Sequence, residues 1–273
     1  SVKIEKILNE NKFDLLMHFA GYIQVEESVS LPSKYFENNT LNSIKLFKTC
    51  KKNNLNKILF SSTASIYGNK TNSGTVSETD PPDPQNPYAE SKLRTENFLR
   101  DNQNDYQFII LRYFNVAGAD KKLRTGQISK KSTHLIKILS EIAIGKKTYL
   151  EVYGNDYNTH DGTAIRDYIH VTDLADIHIE VSKYLLNNSK SEIFNCGYGV
   201  GYSVLEVIKE TNKICNGSIN YKFSDRRKGD AQKLVSDISK IKRSINWEPK
   251  FNNLNKIINS SIIWEKELNE KNF

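Results

Sequence analysis

A chain of 273 residues is long enough for one large α/β domain, or for one domain with a smaller second lobe. Its 38% hydrophobic content, with 14 Tyr and 12 Phe, supports a packed core and argues against disorder. No apolar run approaches the ~18 residues of a membrane span, and the net charge of +7 is spread through short runs ("CKK", "GKK", "SKK") among Asn and acids, so neither a membrane nor a nucleic acid is the expected partner.

The opening "SVKIEKILNENK" reads as an amphipathic helix already in progress, and neither as a signal nor as a transit peptide. "FDLLMHFAG" predicts a strand that ends in a small-residue turn. In "SKYFENNTLNSIKLFKTCKKNN" the spacing of Leu41, Ile44, Phe47 and Cys50 predicts a helix with a buried stripe. "NKILFSS" is a second buried strand, and the Pro-rich "ETDPPDPQNP" leads to a helix beginning at Pro87. "YQFIILRYF" is a third strand. Beyond Asn115 the pattern loosens around the helix "THLIKILSEIAIG". "RDYIHVTDLADIHIEVSKYLL" then gives a short strand, a Thr172 cap and a helix, and "SEIFNCG" is again strand-like.

Continuous apolar strands alternating with helices indicate an α/β fold, a Rossmann-type parallel sheet with helices on both faces. The expected organisation is a sheet domain over 1–115 and a smaller C-terminal lobe over 116–273, with elements at about 166–197 returning to the first domain. Cys50, Cys196 and Cys215 form no CxxC, and His18, His134, His160, His170 and His178 fit no metal template. No metal is expected, and the unpaired thiols fit a reducing cytoplasm. Ligands of open parallel sheets sit at the carboxyl ends of strands. Three polar clusters fall there, at 19–21, 61–68 and 112–118.

"NPYAESK" places Tyr88 and Lys92 four residues apart on one helical face. A bland surface pair would read the same way. The sharper reading is a phenol of ordinary pKa about 10 brought toward general-base range by a nearby ammonium. Thr63, at the exit of "KILFSS", could relay a proton between a substrate hydroxyl and that phenol. For Ser61 and Ser62 the competing reading is backbone capping.

"HFAG", "FSSTASIYG", "NPYAESK", "LRYFNVAG", "DGTAIRDYIHVTDLAD" and "RRKGD" together resemble the extended short-chain dehydrogenase/reductase superfamily and, within it, the UDP-glucose 4-epimerase (UDP-galactose 4-epimerase) family. The likeness runs in order from Ser1 nearly to the C-terminus. It implies tightly bound NAD, a UDP-sugar substrate and a homodimer in the complete protein. Tyr88 would take the sugar's 4-hydroxyl proton, Thr63 would share it, and Lys92 would hold the nicotinamide ribose and depress the Tyr88 pKa. Hydride would pass from C4 to NAD and return to the other face of a 4-keto sugar. Ala20, Gly21, Asn39, Ser61 and Phe114 resemble the family's other cofactor-side positions. Asn115, Arg166, Arg227 and Asp230 resemble its contacts to the diphosphate and ribose, where a guanidinium fork suits phosphate oxygens.

Sugar-nucleotide 4,6-dehydratases share the Tyr, the Lys and NAD, but usually carry an Asp-Glu pair directly after the Thr. Here Ala64 and Ser65 follow Thr63. The family's GxxGxxG turn is also missing; Gly197, Gly199 and Gly201 resemble a structural turn of the family instead. The expectation is therefore a chain that starts late, lacking about 60 residues of first strands and phosphate loop, and inactive by itself. Ile23 stands where some members have a Lys, and Leu234 resembles the gatekeeper beside the sugar's C2 group. Two other readings stay open: a 4-epimerase of a UDP-N-acetylhexosamine or UDP-uronate, and a non-catalytic dinucleotide-fold binding protein.

Overall fold

The apolar stretches become parallel strands because their side chains are buried on both faces. The computed structural model describes residues 2–69, 74–129, 132–188, 190–227 and 229–271. Lys228 of "RRKGD" and Lys130 and Lys131 of "SKK" lie outside them.

In chain order, helix α1 (Val2–Glu10) precedes strand β1 (Leu16–His18). Helices α2 (Val25–Ser30) and α3 (Pro32–Tyr35) run through a π-helical segment at Phe36–Leu41 into α4 (Asn42–Lys52). Strands β2 (Lys57–Thr63) and β3 (Thr75–Val76), helix α5 (Pro87–Asp101) and strand β4 (Gln107–Tyr113) follow. Next come β5 (Asn115–Ala117), α6 (Leu135–Ala143), β6 (Leu150–Tyr153), β7 (Ile165–His170) and α7 (Val171–Asn188). The remainder is β8 (Glu192–Cys196), β9 (Gly201–Ser203), α8 (Val204–Cys215), β10 (Tyr221–Ser224), β11 (Lys233–Ser236), α9 (Ser239–Ser244) and α10 (Leu254–Glu270).

The first sheet has the order β1-β2-β4-β8, parallel throughout. Alternation along β2 sends Ile58 and Phe60 to a cluster with Phe47 and Leu99 on one face, while Leu59 joins Leu111, Val181 and Leu185 on the other. All eight are fully buried. Helices therefore cover both faces, α4 and α5 on one and α7 on the other.

After β4 the chain crosses at Phe114 into a second sheet, β3-β11-β7-β5, to which β9 adds antiparallel to β7. Strand β10 pairs with β6 separately. Of the segment around 166–197, β8 returns to the first sheet beside β4, whereas β7 stays in the second.

Three local expectations need correction. The predicted stripe of α4 holds at Phe47 and Cys50, but Leu41 is 62% exposed. The π-helical segment inserts an extra residue before α4 and turns Leu41 off the inner face. Thr172 does not cap α7: the helix starts at Val171, and the His170 ring accepts from the Thr172 N–H at 3.1 Å. Helix α1 forms but buries none of its residues.

Strand β1 pairs on one side with β2 and has no strand on its other side among the described residues. Phe13, Met17, Phe19 and Ile23 beside it are exposed. No helix among the described residues is long and apolar enough to cross a membrane.

Candidate active site

Thr63 is the last residue of β2, and its hydroxyl accepts from the Ser65 N–H at 3.2 Å, which opens a tight turn over Ala64–Tyr67. Helix α5 starts opposite this exit. Asn86 caps it, accepting from the Ala89 N–H at 2.9 Å, and Pro87 takes the first helical position, where a missing N–H costs nothing. Tyr88 thus lies in the first turn and Lys92 one turn on, both buried and both facing the end of β2.

Burial raises the Tyr88 pKa, and the neighbouring Thr63 hydroxyl acts in the opposite direction. The Lys92 ammonium donates to the Ser61 carbonyl at 2.9 Å and sits 5.0 Å over the Phe60 ring. Desolvation lowers its pKa to about 8, against the pull of Glu96. The sequence expectation was a phenol depressed by Lys92. In the structure desolvation dominates at Tyr88, and the ammonium is directed to the Ser61 carbonyl.

Gly21 lies against this lysine. A Cβ there would stand 3.2 Å from Lys92 Nζ and 3.2 Å from Asn39 Oδ1. Asn39 is itself buried; its amide accepts from the Tyr22 N–H at 2.8 Å and donates to the Tyr22 carbonyl at 3.0 Å and to Ser91 Oγ at 3.1 Å. It clamps the turn that carries Ala20 and Gly21, and Ala20 is exposed at the edge. Ser61 is buried near the end of β2, and the Tyr113 phenol hydrogen-bonds His178 Nε2 at 2.5 Å. Phe114 is buried with Ala64, Tyr67, Ala89 and Leu234. A dinucleotide fits these residues on two observations. Gly21 lets the backbone pass close to Lys92 and Asn39 where a side chain would press on both, and the Lys92 ammonium has one acceptor among the described residues, so donors remain for ribose hydroxyls.

The second half of the site lies on the other sheet. Arg166 (β7) stands 3.8 Å from the Asp230 carboxylate. The Arg227 guanidinium stacks 3.8 Å from the Tyr153 ring, and Arg226 pairs with Asp156 at 2.7 Å. Tyr157 is 5% exposed, and its hydroxyl has no hydrogen-bond partner among the described residues, although the charges of Asp230 and Arg166 act on it and the Arg226 guanidinium lies 4.2 Å over its ring. An orphaned phenol among guanidinium groups suits an anionic ligand with further acceptors. Asn115 opens β5 opposite Tyr168 and is exposed. Leu234 pairs in register with Arg166 and packs on Ala64 and Phe114, so it connects the two halves.

The Gly197–Gly201 stretch is no phosphate cradle. Its donors are taken by an internal carboxylate: the Tyr198 and Gly199 N–H groups each donate to Asp167 at 2.9 Å. Among the described residues no group of three His, Cys, Asp or Glu could hold a metal.

Sequence reasoning missed a buried polar network beneath Tyr88 and Lys92. Glu96 is fully buried, accepts from the Ser62 hydroxyl, and forms a two-pronged pair with Arg112, the shorter contact being 2.7 Å. Arg112 also donates to the Tyr67 hydroxyl at 2.8 Å, which in turn donates to Asn195 at 2.7 Å. A lone Arg inside the apolar run "FIILRYF", and a Glu four residues after Lys92, were the available signals.

The model of the family described as GDP-mannose 4,6 dehydratase matches residues 1–259. The chain is 42% identical to the UDP-glucose 4-epimerase of Azospirillum brasilense, over 98% of this chain and 77% of that one. Among solved structures it resembles the UDP-Glc/GlcNAc 4-epimerase of Campylobacter jejuni (44% identity, TM-score 0.81, 97% of this chain and 81% of that one). It also resembles the UDP-glucose 4-epimerase of Bifidobacterium longum in complex with NAD+ and UDP (37% identity, TM-score 0.92, 100% and 82% of the two chains).

Proposed function

The chain belongs to the UDP-glucose 4-epimerase family, and we propose that it interconverts UDP-glucose and UDP-galactose at Thr63, Tyr88 and Lys92 with NAD as its cofactor. The observation that carries this reading is the buried Tyr88 phenol, set beside the buried Thr63 at the end of β2 and one helical turn from the buried Lys92 ammonium. NAD, when bound, would supply the hydride acceptor for sugar C4 and the hydride donor that restores it. Tyr88, as its phenolate, would take the 4-hydroxyl proton and later give it back, and Thr63 beside it would share that proton. Lys92 offers its free N–H donors to the nicotinamide ribose, beside the approach left by Gly21. The first sheet, 1–115 with β8, holds the dinucleotide, assisted by Ala20, Asn39, Ser61 and Phe114. The lobe over 116–273 holds the UDP-sugar through Arg166, Arg227 and Asp230, with Asn115 at the border of the first domain.

Epimerisation is favoured over dehydration because Thr63 is followed by the buried Ala64 and by Ser65, which leaves no carboxylate at the place where elimination needs its acid and base. A second reading, a 4-epimerase that also takes N-acetylated sugars, is favoured by the likeness to the C. jejuni protein and by an aliphatic Leu234 at the sheet junction. Comparing turnover of UDP-galactose and UDP-N-acetylgalactosamine separates the two. The three cysteines are free thiols, which fits a reducing compartment, and we place the reaction in the cytoplasm. The resemblance also implies a homodimer, which sedimentation of the purified protein tests.

Tyr88→Phe tests the assignment against a non-catalytic binding role. The ring would keep its edge contact with Tyr35, at 6.4 Å between centroids, so the fold should persist. The epimerisation rate should fall ~100-fold or more, with UDP affinity unchanged. Retained turnover would overturn the catalytic assignment.

A further inference from the structure

Lys92 is a buried cation with a single hydrogen-bond acceptor among the described residues, and an ammonium in such a place keeps its proton only with a compensating charge. From β1 comes His18, whose imidazole bonds Ser43 Oγ at 2.8 Å and is kept neutral down to about pH 4 by burial and by Lys92 itself. From β2 come the Ser61 carbonyl and the Phe60 ring. Tyr113 on β4 and Tyr35 on α3 are phenols that burial keeps protonated. On α2, Glu27 is engaged by Lys34 at 2.8 Å and by Tyr35 at 2.9 Å. On its own helix Lys92 has Tyr88 before it and Glu96 after it. Glu96 lies one helical turn further along the same face of α5, and its charge favours the protonated form of Lys92.

Glu96 is built to remain in place. It is fully buried, lies one helical turn from Lys92, and has Ser62 and Arg112 as donors. Those donors come from the two strands whose ends frame the site: Ser62 adjoins Thr63, and Arg112 stands opposite Ser62 in the sheet register. One carboxylate thus fastens the Tyr88–Lys92 face of α5 to β2 and β4.

We propose that Glu96 is a positioning residue of the epimerase site: held by Ser62 and Arg112, its carboxylate keeps the Lys92 ammonium charged and fixes the face of α5 that carries Tyr88 and Lys92 against Thr63. The inference deepens the proposed reaction. Its test is separable from that reaction because Lys92 can be observed without turnover.

The experiment follows the Lys92 side chain by NMR of the 13Cε-lysine-labelled protein, with the resonance identified by its loss in Lys92→Met. In Glu96→Gln the titration midpoint of Lys92 should fall by about one pH unit or more, and the alkaline limb of the kcat profile should move with it. Near-UV circular dichroism reports whether the variant is folded. If Glu96→Gln does not fold, the double variant Glu96→Gln/Arg112→Met removes the pair together, an exchange that buried ion pairs often tolerate, and should show the same downward movement. A Lys92 midpoint that stays at its wild-type value in either folded variant overturns the proposal. Loss of fold in both would make Glu96 a purely structural partner of Arg112, and would overturn it equally. A moved midpoint in a protein without epimerase activity would support the inference while refuting the reaction on which it rests.

Discussion

Replacing Lys92 by Met should abolish turnover and yet make the protein more stable at neutral pH. The Lys92 pKa is lowered from 10.5 to about 8 by burial. Each tenfold in proton affinity corresponds to ~1.4 kcal/mol, so holding the proton at pH 7 costs about 3 kcal/mol of folding free energy. Met fills a similar volume without the charge, but it leaves the Ser61 carbonyl without its 2.9 Å donor, a loss of ~1 kcal/mol. The net expectation at pH 7 is a gain of about 2 kcal/mol. The sign of its pH dependence follows from linkage. Between about 8 and 10.5 the unfolded chain binds the proton and the folded chain has released it, so wild-type stability rises with pH across that window. The advantage of Lys92→Met should therefore shrink from pH 8 upward and reverse by pH 10.5, where the lost hydrogen bond to the Ser61 carbonyl is what remains. Urea unfolding of both proteins at pH 7, 9 and 10.5, with m values compared, measures this directly. A variant less stable than wild type at pH 7, or a difference that does not change with pH, refutes the reasoning.

Two further substitutions test other parts of the site. Gly21→Ala puts a methyl 3.2 Å from both Lys92 Nζ and Asn39 Oδ1, which must give way; NAD affinity should fall ~10-fold, about 1.4 kcal/mol, while UDP affinity stays unchanged by calorimetry. Asp167→Ala strips the carboxylate that accepts from the Tyr198, Gly199 and Ser236 N–H groups. With those donors left buried, stability should fall by ~3 kcal/mol or more, and a urea midpoint close to wild type would show that water replaces the carboxylate.

Much of the first sheet was legible in the linear sequence because its strands are apolar on both faces. "NKILFSS" and "YQFIILRYF" can satisfy such a pattern only in a covered parallel sheet, and they stand as β2 and β4. The start of α5 was equally local. Asn86 and Pro87 act through their own backbone positions, and four-residue spacing alone puts Tyr88 and Lys92 on one face. The exposed Leu41 was not legible, since a π-helical segment shifts the register by one residue without a signature in hydrophobic spacing. The His170 cap on α7 was hidden for a related reason: the acceptor is a ring at the end of a strand, where pattern suggested Thr172.

The site divides along the same line. Residue type and spacing were enough to nominate Thr63, Tyr88 and Lys92, whereas Arg166, Arg227 and Asp230 were nominated through the resemblance of their motifs to the family. Which groups face one another was decided by strands distant in sequence. β2 and β4 bring Ser62 and Arg112 to Glu96, and the pairing of β11 with β7 sets Leu234 beside Arg166. The direction of the pKa shifts belongs to the tertiary structure as well. An ammonium one turn from a phenol should lower its pKa in isolation. Burial of both groups reverses that expectation, since desolvation depends on what the rest of the chain packs around them.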